Sequence, residues 1–391
     1  MKRLLVVSNG YGEDLEAAQV VRHLPPGAVA VSAYPLVGLG RAYPAGVTLL
    51  DPRRDLPSGG FGLRAGWAAA WADLRGGWIG LWRQQRRTLR SQRGAVDLVL
   101  AAGDVYCLWM ASAAGRPVAY LALPRSEYIG PHSPLELRII RRTASEVFAR
   151  DEVTAAALRR ERIPARYLGF PLMDTLAPSG ETFGIPAEQP LVTLLPGSKP
   201  PAFENVALLL RAAALARALA ARHTPPVPPP AVLVAWAPGL PVARLRETVE
   251  ALGGRWTDPR RFQLDGGEVV VTTEQFADAL ARSTVVLGMA GAAHEQAAGL
   301  GKPVVAFPGR GPQFTARFLR EQQRLLGDAL VAATGPEDAA RAVVGLLADR
   351  AERERRGRVG RERQGGAGGA EAIAQQLARR LGLREMSRGG A

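Results

Sequence analysis

The feature that most narrows the fold is an alternation of short apolar runs with helical stretches, and it occurs twice. In the first half, 3–8, 29–33, 96–101, 117–121, 146–149 and 166–168 read as strands. The stretches 13–23, 67–92, 105–114, 134–143 and 151–161 read as helices. The segment GFPLMDTLAPSGETFGIPAEQP (169–190) then interrupts the pattern with Gly and Pro. A second series follows, with strands at 191–195, 231–236, 268–272, 284–288, 303–306 and 328–331. Its helices fall at 204–222, 241–251, 274–281, 293–299, 314–325 and 336–349. A parallel pair of strands needs a crossover, and a helix supplies it while covering the sheet, so this alternation points to doubly wound parallel sheets. The expected architecture is α/β: two Rossmann-like domains facing a cleft. They span 1–175 and 191–362, with a linker at 176–190. A glycine hinge, terminal helix and tail occupy 363–391. TPPVPPP (224–230) reads as a stiff surface spacer.

Composition excludes several classes. At 391 residues, with 47% apolar and 22% charged, the chain can build two ordinary cores. No apolar run reaches the roughly 20 residues needed to span a bilayer. The opening MKRLLVVSNGYGED fits a first strand better than a signal peptide, so the expected location is cytoplasmic. The single cysteine, Cys107, rules out an internal disulfide and a thiolate-cluster metal site. It lies in an apolar run and reads as core. The four histidines show no metal-ligand spacing, so no metal and no cofactor are expected. A net charge of +14 argues for an anionic partner: a phosphorylated substrate, an acidic membrane surface or nucleic acid.

SNGYGED (8–14) follows the first apolar run. Strand, glycine turn and helix usually make a phosphate cradle, yet Glu13 and Asp14 stand at its mouth. Two carboxylates in a partly dry cleft oppose a pyrophosphate, and Leu15 replaces the glycine the dinucleotide fingerprint requires. The loop is therefore read as an acceptor-side loop. Gly10 and Gly12 would let a substrate approach, and Glu13 or Asp14 would serve as base. The other reading is that these acids only favour the helix dipole.

The second half carries the better cradle. LVTLLPGSKPPAFEN (191–205) is a strand, a turn with Gly197, Ser198 and Lys199, then a long helix with no acid before Glu204. Backbone N–H groups and Lys199 suit a diphosphate. VVLGMAGAAHEQAAGLGKPVVAFPGRGPQF (285–314) ends a strand at Gly288. It opens a helix with small residues, Gly291 and Ala292 among them. Glu295, in the first turn, can accept two hydrogen bonds from ribose hydroxyls. His294, Gln313 and Phe314 are further candidates.

One stretch, GLRAGWAAAWADLRGGWIGLWRQQRRTLRSQR (62–93), is rich in Trp and Arg. On a helix Trp67, Trp71, Trp78 and Trp82 fall within about 60° of one another. With arginines 83, 86, 87, 90 and 93 behind them, the stripe suits an anionic membrane interface or, alternatively, a core-packing helix interrupted at Gly76 and Gly77.

GMAGAAHEQAAGLGKPVVAFPG is similar to the nucleotide-sugar motif of two-domain GT-B glycosyltransferases, and RDEVTAAALRRERIPARYLGFPLMD (150–174) to the segment closing their N-terminal domain. LLPGSK resembles the LLPGSR of lipid-A-disaccharide synthase, with lysine in place of arginine. LVLAAGDVYCLWMA (98–111) resembles the strand that ends in that family's proposed catalytic aspartate, which places Asp104 in that role. A base at such a strand end faces the crevice of a doubly wound sheet. The resemblance implies an inverting glycosyltransferase that moves an N-acetylglucosamine-type sugar from a UDP-sugar to a lipid-linked acceptor at the inner membrane face. No nucleic acid partner is expected. The alternatives are a UDP-sugar 2-epimerase, which shares the architecture, and a basic protein that binds nucleic acid or nucleotide without catalysis.

Overall fold

The structure is a computed structural model that describes residues 1–54, 78–311 and 314–383. The chain forms two compact units. One is Met1–Thr175 together with the C-terminal segment from Ala367; the other is Leu176–Gly366.

In the first unit, β1 (Lys2–Ser8) leads into α1 (Tyr11–Arg22), β2 (Val29–Pro35) and a short β3 (Thr48–Leu49). Then come α2 (Trp78–Ser91), β4 (Leu98–Gly103), α3 (Val105–Ala111), β5 (Val118–Ala122), α4 (Pro134–Thr143), β6 (Ala144–Ala149), α5 (Glu152–Arg160) and β7 (Ala165–Arg166). The seven strands are parallel, in the order β3-β2-β1-β4-β5-β6-β7. Both faces are covered, which is why Leu98–Gly103 and Val118–Ala122 read as unbroken apolar runs and are buried throughout. One face packs Leu4, Val6, Leu100 and Phe148 against α1; the other packs Leu5, Val7, Val99 and Val147 against Leu89, Leu108 and Ile140. Cys107 belongs to the second core, fully buried, with its thiol toward the Val7 carbonyl at 3.3 Å.

The second unit contains β8 (Leu191–Leu195), α6 (Ala202–Arg222), β9 (Ala231–Ala235), α7 (Val242–Ala251), β10 (Arg255–Asp258), β11 (Arg261–Leu264) and β12 (Gly267–Thr272). It continues with α8 (Phe276–Arg282), β13 (Val285–Gly288), α9 (Ala292–Gly299), β14 (Val304–Ala306), α10 (Ala316–Leu326), β15 (Leu330–Ala332), α11 (Pro336–Ala348) and α12 (Arg350–Gln364). The sheet order is β10-β11-β12-β9-β8-β13-β14-β15, with β10 and β11 antiparallel to their neighbours and the rest parallel.

Three elements depart from the expected pattern. The β10–β11 pair lies in a polar stretch, RWTDPRRFQL, whose apolar content is too low to announce strands. The helix α12 was not expected, because it is polar almost all round and carries two internal glycines. Gly357 and Gly360 lie against the carbonyls of Gly301 and Ala298, and a Cβ at either would collide with them. That contact seats α12 on α9. The expected hinge at 363 therefore begins later, after Gln364. The last helix, α13 (Gly369–Arg380), returns to the first unit, where Ile373, Ala374 and Leu377 join the core beside α1.

In an open α/β sheet, ligands bind outside the carboxyl ends of the strands where the strand order reverses. Each unit has such a point. In the first it lies between β1 and β4, so Ser8–Gly10 meet Gly103–Asp104. In the second it lies between β8 and β13, so Pro196–Lys199 meet Met289–Gly291, and the Met289 N–H donates to the Leu195 carbonyl at 2.8 Å.

Candidate functional site

At the switch point of the second unit lies a cleft of ≈ 550 Å³. One wall is Gly197, Ser198 and Lys199; the adjoining wall is Gly291, Ala292 and Ala293 at the start of α9. Gly197 has φ +108, a left-handed conformation that side chains disfavour. The N–H groups of Gly197, Ser198 and Lys199 make no hydrogen bond with any described residue, and Lys199 forms no ion pair among them. The first N–H groups of a helix also lack intrahelical partners. Unspent donors from a loop and a helix, with one lysine at the rim, are groups with which an anion can form hydrogen bonds. The far end is apolar: Trp236, Pro238 and Phe276, with Thr272 at the end of β12. Trp236 is almost fully buried and donates from its indole N–H to the Leu240 carbonyl at 3.1 Å. Sequence reading passed over these far-wall residues. Their signal was their place just beyond β9 and β12, on the same carboxyl edge.

Other expected donor-site residues are arranged unevenly. Phe314 is part of the cleft wall, 3% exposed, with Phe318 edge-on to it at 5.5 Å. Gln313 lies outside the described residues. Glu295 lies in the first turn of α9 but is not part of the cleft wall. It is nearly buried, and the Gln322 amide donates to it at 3.3 Å. His294, expected at the ligand, lies behind the cleft wall and not in it. It is fully buried, edge-on to Phe314 at 5.4 Å, and its Nε2 accepts from the Ala290 N–H at 3.3 Å. Burial pushes its pKa down to about 3, so it is a neutral ring that braces the turn behind the wall.

At the switch point of the first unit the same strand–glycine–helix geometry is filled with acids. Gly10 caps α1, and the Glu13 carboxylate folds back over it, where a Cβ at position 10 would collide. The helix N-terminus is thus covered by its own side chain. Gly12 is exposed, with open space beside it. Asp14 is buried and accepts from the Ser8 hydroxyl at 2.6 Å; Tyr43 donates to Ser8 at 2.8 Å, since the single Ser8 proton is already committed. Asp104 caps α3, accepting from the Cys107 N–H at 3.0 Å and from the Asn9 amide at 2.8 Å across the β1–β4 boundary. Burial raises all three carboxyl groups. For Glu13, its own N–H opposes the shift and the Asp104 charge adds to it. For Asp14 the value reaches about 7, with the Ser8 hydrogen bond opposing and Glu13 adding. For Asp104, the donors on Cys107 and Asn9 oppose it. Asp14 can therefore gain or lose a proton near neutral pH, and burial shifts Glu13 and Asp104 in the same direction. Asn9, Ser8 and Tyr43 were not singled out from sequence.

The Trp-rich stretch is only partly described. Trp67 and Trp71 lie outside the described residues, as do Gly76 and Gly77, and α2 begins at Trp78. Trp82 stacks on Trp109 of α3, with centroids 6.2 Å apart and planes 10° apart, and the Arg86 guanidinium lies 4.4 Å from the Trp109 ring centre. Arg83, Arg87 and Arg90 are exposed on a helix without a single acid. Among the described residues no group of side chains has metal-site composition, and no helix is long and apolar enough to cross a membrane.

No protein-family model and no curated protein matches this chain in sequence. Solved structures do match it in fold. A putative UDP-N-acetylglucosamine 2-epimerase from Listeria monocytogenes is 14% identical, with a TM-score of 0.62 and 98% of each chain covered. The UDP-N-acetylglucosamine 2-epimerase from Neisseria meningitidis, solved with UDP-GlcNAc, is 14% identical with a TM-score of 0.58, over 97% of this chain and 100% of that one. The calicheamicin glycosyltransferase CalG4 is 17% identical, with a TM-score of 0.60 and 98% of each chain covered. At these identities the likeness is one of fold: two Rossmann-like units, as in the GT-B class.

Proposed function

We propose that this protein is an enzyme that binds a UDP-sugar in the cleft of its second unit and acts on the sugar by acid–base chemistry. The observation that carries the reading is the set of unspent N–H groups at Gly197, Ser198 and Lys199, beside the start of α9 and opposite an apolar end. A diphosphate takes the N–H groups and the Lys199 charge. A flat, uncharged base takes the end with Trp236, Pro238 and Phe276. The proton chemistry falls to Asp104, Glu13 and Asp14. Solved structures of similar fold include complexes with UDP and with UDP-GlcNAc, which supports the nucleotide class.

The favoured reaction is inversion at C2 of a UDP-N-acetylglucosamine-type sugar. It breaks the C2–H bond as the C1–O bond to UDP breaks, the electron pair forming a C1=C2 double bond; re-addition of UDP at C1 and of a solvent proton at the other face of C2 completes the inversion, which calls for groups that take and give a proton. Several of the similar folds carry that activity in their names. One observation keeps a second reading: the Trp82–Trp109–Arg86 stack beside an acid-free, arginine-rich helix suits an anionic lipid surface, and hence transfer of the sugar to a lipid-linked acceptor with Asp104 as base.

The test begins with calorimetric binding of UDP, GDP and ADP; the reading expects UDP to bind best. The protein is then incubated with UDP-GlcNAc in heavy water, with and without lipid extract. Deuterium at C2 without an acceptor is the epimerase outcome. Lipid-dependent release of UDP with no label at C2 is the transferase outcome. A folded protein that binds no UDP refutes both.

A further inference from the structure

The residue that couples the two loops bounding the cleft is Asn205, in the first turn of α6, 3% exposed. An amide buried in an otherwise apolar helix face is costly unless both of its ends are bonded. Here both are. Its Nδ2 donates to the Pro196 carbonyl at 3.2 Å, and its Oδ1 accepts from the Arg310 N–H at 2.7 Å. One side chain thus fastens the 196–199 loop to the loop that ends at Phe314.

Two consequences follow. The Pro196–Gly197 peptide is trans, so its carbonyl and N–H point in opposite directions. Holding the Pro196 carbonyl toward Asn205 turns the Gly197 N–H away from it, and Gly197 is part of the cleft wall. On the other side, a Cβ at Gly309 would come within 2.7 Å of Asn205 Oδ1 and 2.8 Å of Met289 Sδ. Gly309 is therefore the residue that lets the second loop close on Asn205. The Gly309 N–H then donates to the Phe314 carbonyl at 2.9 Å, which sets the wall residue.

We propose that Asn205 is a positioning residue for diphosphate recognition: it aims the Gly197 N–H into the cleft and pins the Phe314 loop against the same helix turn. The proposal rests on the reading of this cleft as a nucleoside-diphosphate site. An amide is required because the position needs one donor and one acceptor. In Asn205→Asp the shape is kept, but a carboxylate oxygen faces the Pro196 carbonyl, and two acceptors repel.

The test compares UDP and uridine binding to wild type, Asn205→Asp and Asn205→Ser by titration, with thermal unfolding monitored for each. The expected result is a loss of tenfold or more in UDP affinity for Asn205→Asp, with uridine affinity changed by less than twofold. Asn205→Ser should behave in the same direction and serves if the aspartate variant does not fold. Equal weakening of UDP and uridine, or unchanged UDP affinity in a folded variant, overturns the role of Asn205 and leaves the cleft's assignment standing. No UDP binding by the wild type overturns that assignment, and the role of Asn205 falls with it.

Discussion

The two units carry the same local device and use it oppositely. Each ends a parallel strand at a switch point, turns through glycine and starts a helix. At β1–α1 the turn is occupied by the protein's own carboxylates, Glu13 over Gly10 and Asp14 on Ser8. At β8–α6 the N–H groups are unspent and the charged side chain among the described residues lining the cleft is Lys199. Backbone geometry therefore does not by itself decide how the donors of a glycine turn are used. What differs is the side chain at the turn: the Glu13 carboxylate folds over Gly10, whereas Lys199 stands beside Gly197 and Ser198, and in a partly dry site a carboxylate competes for the donors an anion would use.

The comparison can be broken most sharply at Asp104. Asp104→Asn removes a proton carrier but can keep both accepted hydrogen bonds. Turnover of a UDP-sugar should fall by roughly 10²–10⁴ with UDP binding unchanged, read as kcat against calorimetric Kd. Next is Lys199→Glu, which places in the second turn the kind of charge found in the first. Losing a charge-assisted contact and adding repulsion should weaken UDP on the order of 10²-fold. If Lys199→Glu left UDP affinity intact while Glu13→Ala abolished it, the assignment of the two turns would have to be exchanged.

Asp14 supplies a stability test. Burial raises its folded pKa to about 7, above the roughly 3.9 of an aspartate in an unfolded chain. The folded state therefore binds more protons than the unfolded state between those values, and its stability falls as pH rises through that window. Asp14→Asn should raise stability at pH 8 by the order of 1–3 kcal/mol and change little at pH 4, measured by denaturant melts at both pH values. The smallest expected effect is Glu295→Gln. Ribose recognition by a carboxylate held back by Gln322 should cost UDP about fivefold by calorimetry. An effect above a hundredfold would mean that Glu295 reorients fully into the cleft on binding.

Much of this was legible from the chain alone. The run LVTLL coincides with β8, and PLELRIIRRT with α4, whose Ser133 and Glu136 form a capping box. The small residues Gly291 and Ala292 did mark the wall of a cleft. What stayed hidden had physical causes. The helix α12 is held by ion pairs such as Arg355–Asp328 and by glycine-to-carbonyl contact with α9, neither of which leaves an apolar period. His294 and Glu295 are adjacent on a short helix, and only packing determines which of them is turned into the core. Asn9 and Asn205 are unremarkable in sequence, because each matters through a partner about a hundred residues away.

The sequence by itself determined the two α/β units, the carboxyl-edge location of the glycine turns and the sign of the charge at each. These follow from local periodicity, strand-end position and residue type. Tertiary structure decided which donors remain unspent, which carboxyl groups lose solvent and so have their pKa raised, and which side chains fasten one loop to another. Desolvation and hydrogen-bond pairing depend on neighbours brought together across the fold, and no stretch of chain contains them.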